Sequence, residues 1–179
     1  CDPLAAAVAS GAEASWLPEA EAEPDALAGI DTLVLWRTPW SERIAALVAR
    51  AHELGAAVAF DVDDLMMDPN FARTEIIDGI RSQALDEAGV REHYAHIHQT
   101  MLAADFCIGS TDELAWHMRR YHKVAYVLPN TFDEATWQAS RLAARRRAAT
   151  LSDGLVRLGY ASGSRTHQKD FAVAAAALA

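Results

Sequence analysis

The sequence predicts an α/β fold, a parallel sheet with helices on both faces, and three observations carry that expectation. Short apolar runs alternate along the chain with segments of helical spacing, the pattern of crossover units. The runs are continuous, without polar residues at every second position, as in strands covered on two faces. One of them leads directly into the carboxylates Asp61, Asp63 and Asp64, at the strand end where open α/β sheets receive ligands.

The first run is Asp31–Arg37, followed by Thr38-Pro39-Trp40, which favours extended or turn backbone. Ser41 then caps a helix whose apolar positions are Ile44, Leu47, Val48, Ala51 and Leu54, and Gly55 is placed to end it. Ala56–Phe60 reads as the second strand. Pro69 and Asn70 mark a loop before a helix over 74–84, and a further helix from about Val90 to Ala104 carries Tyr94, Ile97, Met101 and Leu102 on one face. Phe106–Gly109 is the third strand. Ser110 and Glu113 have capping-box spacing and begin a helix with the stripe Leu114, Ala115, Met118 and Tyr121. Val124–Leu128 is the fourth strand, closed by Pro129-Asn130. A polar, Arg-rich helix over 133–149 then leads to a new strand, 154–160, the loop Ser162-Gly163-Ser164 and a final helix. Residues 1–150 are expected to form an N-terminal domain with its connector helix, and residues 151–179 the first strand-loop-helix of a second domain. The absence of an initiator Met and the uncapped Ala-rich end suggest part of a longer protein.

Sixteen Lys plus Arg against twenty-five Asp plus Glu give a formal net charge of −9, which argues against general nucleic-acid binding, since that affinity comes from accumulated cations. No apolar stretch reaches the ~18 residues of a membrane span. The opening residues lack the basic region of a secretory signal. With Cys1 and Cys107 alone, the latter in an apolar run, the expectation is a free buried thiol in a reducing, cytoplasmic setting.

Crowded carboxylates at 61, 63 and 64 need a cation, hydrogen-bond donors or solvent to stay ionised. A solvated turn, a ligand cleft and a magnesium site are all compatible with them. Arg37, one strand away, is expected to pair with the cluster or to meet an anionic acceptor. The stretch Leu158 to Phe171 is the second signal. Its small residues let a diphosphate approach the backbone, helix N-terminal N–H groups attract an anion, and Arg165, His167 and Lys169 add donors or charge. An ordinary strand-to-helix turn is the alternative there. His93, His96 and His98 do not share one helix face and are not expected to converge on a metal. Trp36, Trp40, Trp116 and Trp137 are candidates for sugar stacking or for the core. The run Arg141 to Arg147 reads as a solvated face, with anionic lipid as the alternative.

Taken together, Leu33–Arg37, Phe60–Leu65, Ser110–Leu114, Val127–Asn130 and Gly159–Asp170 resemble glycosyltransferases of the GT-B architecture, in family 4 and the related group 1 enzymes. The resemblance implies a Rossmann-like acceptor-side half followed by the truncated start of a Rossmann-like donor half. It also implies sugar transfer from a nucleotide-sugar substrate to a hydroxyl of a glycan, glycolipid or glycoprotein, with no cofactor, no obligatory metal and no nucleic-acid partner. Peripheral contact with the inner face of the membrane fits a lipid-linked acceptor. The match places Gly163 and Ser164 near the donor diphosphate, with Thr166, His167 and Lys169 as neighbouring candidates, and has Asp61, Asp63 and Asp64 face the acceptor cleft or hold its loops; Arg37 and Asn130 are further cleft candidates, with closure of a turn or capping of the connector as the alternative for Asn130. A second resemblance is to the haloacid-dehalogenase phosphatases, in which Asp61 would be nucleophile and Asp63 general acid, with Ser110 and Lys123 as later motifs and magnesium as cofactor. A non-catalytic binding module is the third reading.

Overall fold

Four parallel strands form one sheet in a computed structural model that describes residues 7–8, 10–73, 86–121 and 124–150, with the single positions 154, 159 and 175. They are β1 (Thr32–Trp36), β2 (Ala57–Val62), β3 (Phe106–Gly109) and β4 (Ala125–Val127), and they lie side by side in chain order. Helix α1 (Glu42–Glu53) joins β1 to β2, α2 (Glu87–Ala103) precedes β3, and α3 (Asp112–Tyr121) joins β3 to β4. Helix α4 (Glu134–Thr150) follows. The expected helix over 74–84, the strand over 154–160 and the segment after it lie outside the described residues, apart from those single positions.

Strand order decides where the core sits. Each new strand is added on the same side of its predecessor, so right-handed crossovers bring α1, α2 and α3 to one face. The core has that composition: Leu35, Val58, Phe60, Val62, Cys107 and Ala125 of the sheet cluster with Ile44 and Leu47 of α1, Ile97 and Met101 of α2, and Leu114 and Met118 of α3. Side chains alternate along a strand. The opposite face therefore carries Val34, Trp36, Ala59, Asp61, Phe106, Ile108 and Tyr126, none of which joins the core clusters. Val34, Trp36 and Tyr126 are 50%, 56% and 60% exposed. The expectation of helices on both faces is thus met on one face only among the described residues. A second layer needs a reversal of strand order, and these four strands have none.

Local chemistry sets the boundaries. Ser41 Oγ accepts from Ile44 N–H at 3.2 Å to start α1, and Gly55, at φ 77°, takes the left-handed conformation that closes it. Leu54, expected inward, is exposed. Helix α2 begins three residues earlier than Val90 because Asp86 accepts from Gly89 N–H at 2.8 Å. Leu102 of that helix points outward, while Thr100 is buried and donates to His96 O at 3.3 Å. Thr111, not Ser110, caps α3, accepting from Leu114 N–H at 3.2 Å. Cys107 is a free, buried thiol, and burial pushes its pKa up to about 12.

Pro18–Pro129 belong to one compact unit, and the described residues of Cys1–Leu17 and Asn130–Ala161 to another. In the second, Asp133 caps α4 by accepting from Thr136 N–H at 2.7 Å, and every described side chain from Glu134 to Arg147 is exposed. Phe132 stacks on Trp137 with ring centres 5.5 Å apart, and Arg141 lies over the same indole at 5.2 Å.

Gly109 marks the closest approach of β3 to α3, since a Cβ there would stand 3.0 Å from Leu114 Cβ. Gly109→Ala is expected to destabilise the sheet unit by about 1–3 kcal/mol through overpacking, read as a lower urea midpoint with unchanged slope.

Candidate functional site at the carboxyl edge of the sheet

The parallel pairing of β1 with β2 places Trp36 beside Asp61, so the chain leaving β1 passes the carboxylate cluster. Arg37 N–H donates to Asp61 O at 3.0 Å and extends the ladder by one bond. Its φ of 51° lies in the left-handed region, uncommon for a residue with a Cβ. The guanidinium meets two carboxylates: Nη2 is 2.8 Å from Asp64 Oδ2 and Nη1 is 3.4 Å from Asp63 Oδ1. Both ion pairs are more than a third exposed, so they contribute little to stability. Their effect is on charge, because one cation serves two crowded anions. Asp64 also accepts from Met66 N–H at 3.4 Å at the start of the 3-10 turn Leu65–Met67.

Asp61 is differently placed. It sits within β2 on the face opposite the helices, half-buried between Trp36 and Ile108 on the flanking strands. Its carboxylate has no hydrogen bond or ion pair among the described residues. Burial first, and the charge of Asp63 second, raise its pKa above the ordinary carboxylate value. Arg37 thus engages Asp63 and Asp64, while Asp61 has no ion pair among the described residues yet still feels the charge of Asp63.

Helix α2 contributes histidines near the same edge. His93 is held neutral to lower pH than an ordinary imidazole by burial, then by the charges of His96 and Arg37, with Asp64 opposing them. Trp40 N–H donates to His96 O at 3.0 Å and ties the loop after β1 to α2. His98 faces elsewhere, with Nδ1 2.8 Å from Met67 O. Among the described residues no cluster of His, Cys, Asp and Glu has the composition to hold a metal ion.

A buried polar network lies beneath the loop that carries Asp63 and Asp64. Asp68, 1% exposed, accepts on Oδ1 from Asn70 N–H at 3.0 Å, from Asn70 Nδ2 at 2.8 Å and from Tyr121 O–H at 3.2 Å. On Oδ2 it meets His117 Nδ1 at 3.2 Å. Burial pushes this carboxyl up, and the bonds from Asn70, His117 and Tyr121 together outweigh it and hold the pKa low. An ionised Asp68 can only accept, so Nδ1 of His117 carries a proton. Nε2 then points to Glu113 Oε1 at 3.4 Å. The network joins the turn Pro69–Phe71 to α3. Sequence reading treated Pro69 and Asn70 as a loop and passed over Asp68; the Asp-x-Asn spacing of a side-chain-capped turn was the available signal.

Of the remaining expected residues, Ser110 follows Gly109, the register partner of Val62, at the carboxyl end of β3. Asn130 belongs to the other compact unit. Gly163, Ser164, Thr166, His167 and Lys169, as well as Lys123, lie outside the described residues. Trp40 packs against the core, whereas Trp36, Trp116 and Trp137 are exposed. No described helix is long and apolar enough to cross a membrane. No family model, curated protein or solved structure matches the chain.

Two predictions follow the opposite shifts of Asp61 and Asp68. Asp68→Ala leaves His117, Tyr121 and Asn70 without their shared acceptor, and should cost roughly 2–4 kcal/mol at pH 7 by chemical denaturation. Because the folded pKa of Asp68 is lowered, its contribution is present above the unfolded value of about 3.9 and is lost as pH falls through the folded one, so the deficit shrinks in acid. For Asp61 the sign reverses: its raised pKa means stability present below about pH 3.9 and lost as pH rises through the folded value. Asp61→Asn should therefore raise the melting temperature at pH 7 relative to wild type, with that gain diminishing toward pH 3.

Proposed function

We propose that the chain is the acceptor-side part of a GT-B glycosyltransferase, moving a sugar from a nucleotide-sugar to a hydroxyl of a glycan, lipid or protein acceptor. The observation that carries this reading is the gathering of Arg37, Asp63 and Asp64 at the carboxyl edge of a parallel sheet, next to Asp61 in β2, where α/β folds bind ligands. Polar groups of both signs at such an edge suit a polyhydroxylated acceptor, since hydroxyls both donate and accept. In this reading the full protein has helices on both faces of the N-terminal sheet, and a second Rossmann-like domain begins after residue 150. The donor diphosphate is taken by the loop of Gly163 and Ser164, with Thr166, His167 and Lys169 around it. Donors aimed at the leaving phosphate stabilise the charge that builds there as the acceptor hydroxyl displaces the nucleoside diphosphate. The nucleotide-sugar is a substrate, and the working place is the cytoplasm, with peripheral contact at the inner face of the membrane.

The phosphatase reading has in its favour that Ser110 and Asp63 each follow the last paired residue of neighbouring strands. Against it, the guanidinium of Arg37 already engages Asp63, its general-acid candidate.

Calorimetric titration of the full-length protein with nucleotide-sugars should show binding that is weakened at least tenfold, about 1.4 kcal/mol, by the double change Ser164→Ala and Lys169→Ala. Magnesium-dependent hydrolysis of p-nitrophenyl phosphate, abolished by Asp61→Asn, would overturn the proposal in favour of the phosphatase.

A further inference from the structure

Trp116, one of the tryptophans the sequence offers for sugar stacking, stands where the core does not account for it. It projects from α3, which begins just past the carboxyl end of β3, and is 52% exposed although Ala115 and His117 on either side of it are buried. Its ring is nonetheless held. His117 meets it edge to face with ring centres 4.8 Å apart, and the guanidinium of Arg120 lies over it at 5.2 Å. His117 is itself fixed by the buried carboxylate of Asp68, 3.2 Å from Nδ1. The indole is thus an ordered surface on a rigid base, which lowers the entropy cost of binding against it.

Beside the indole is a hollow. Asp112, Glu113, Trp116 and Arg119 surround an open space of about 410 Å³ along α3, within the ~300–1,000 Å³ of small-ligand sites. All four residues are exposed. Arg119 Nη2 donates to Ala125 O at 2.7 Å, and Glu113 Oε1 lies 3.4 Å from His117 Nε2, so the fold positions both side chains. The carboxylates of Asp112 and Glu113 are balanced by Arg119 and Arg120, which leaves no net charge for an ionic ligand to neutralise.

That lining selects among ligand classes. An apolar ligand would take water from the charged groups and return no hydrogen bond. A phosphate or carboxylate would gain from Arg119 but face Asp112 and Glu113. A pyranose ring matches every component, since its C–H face suits an aromatic surface and its hydroxyls both donate to carboxylates and accept from a guanidinium. We infer that this hollow is a sugar-binding subsite that stacks a neutral hexose of a glycan on Trp116, with Asp112 and Glu113 accepting from its hydroxyls and Arg119 donating to them. The subsite needs no nucleotide and no transfer step, so it goes beyond the acceptor-edge reading and stands or falls separately from it.

The test is saturation-transfer NMR on the full chain with maltose, cellobiose and N,N′-diacetylchitobiose, in the absence of any nucleotide. At least one of the three should bind with a millimolar Kd, with the strongest transfer to the ring C–H protons of one hexose. Trp116→Ala should weaken that binding by at least roughly tenfold and Trp116→Phe by less, because the smaller ring keeps an aromatic face. Asp112→Ala should weaken it roughly three- to tenfold through the lost hydrogen bond. All three positions changed are exposed, and circular dichroism checks that the variants stay folded. No transfer to any of the three sugars, binding unchanged by Trp116→Ala, or tighter binding of glucuronate or inorganic phosphate than of the neutral sugars each overturn the proposal.

Discussion

Three carboxylates within four residues at the end of a buried strand repel one another, and the fold meets this by giving two of them a shared cation. Asp63 and Asp64 have left β2 and share the guanidinium of Arg37. Asp61 is still in the strand, and strand geometry commits its side chain to the face away from the helices. Arg37 reaches its two partners because β1 and β2 are parallel neighbours in register and because its own backbone turns into the left-handed region just after β1. A residue held in an uncommon conformation at the carboxyl edge of a parallel sheet is a reason to look for function there. The ion pairs themselves are too exposed to account for it through stability.

The loop carrying these charges is anchored from below. Asp68 gathers Asn70, Tyr121 and His117 around a carboxylate with almost no exposure. Breaking such a network leaves several buried donors unsatisfied, so the turn Pro69–Phe71 and helix α3 are expected to move together or not at all. This gives the acidic edge a rigid base, a requirement for any site that positions a ligand.

The strands and α1 were legible because continuous apolar runs, a Ser cap and a closing Gly are local signals, and the structure reproduces them within a residue or two. The pairing of Arg37 with the Asp cluster was also legible, since the residue after one strand and the residues after the next meet in any parallel pair. Which face the described helices cover was not. The run Leu33-Val34-Leu35-Trp36 reads the same whether both faces or one are packed, and only strand order, a long-range property, separates the cases. The Asp68 network was missed for a similar reason: its turn is local, but His117 lies 49 residues away. At α2 the cap Asp86 outcompeted the apolar stripe as a start signal, and Thr100 replaced Leu102 in the core by bonding its hydroxyl back to His96.

That Arg37 serves Asp63 and Asp64 while Asp61 is left half-buried without an ion pair among the described residues is the claim on which the acceptor-edge reading rests. It is tested most directly by carboxyl-carbon NMR titration of every Asp in the folded protein. The account predicts that Asp61 titrates above the ordinary aspartate range and Asp68 below it, with the fold intact throughout. An Asp61 midpoint at or below about 3.9, the value for a solvated aspartate, would contradict it.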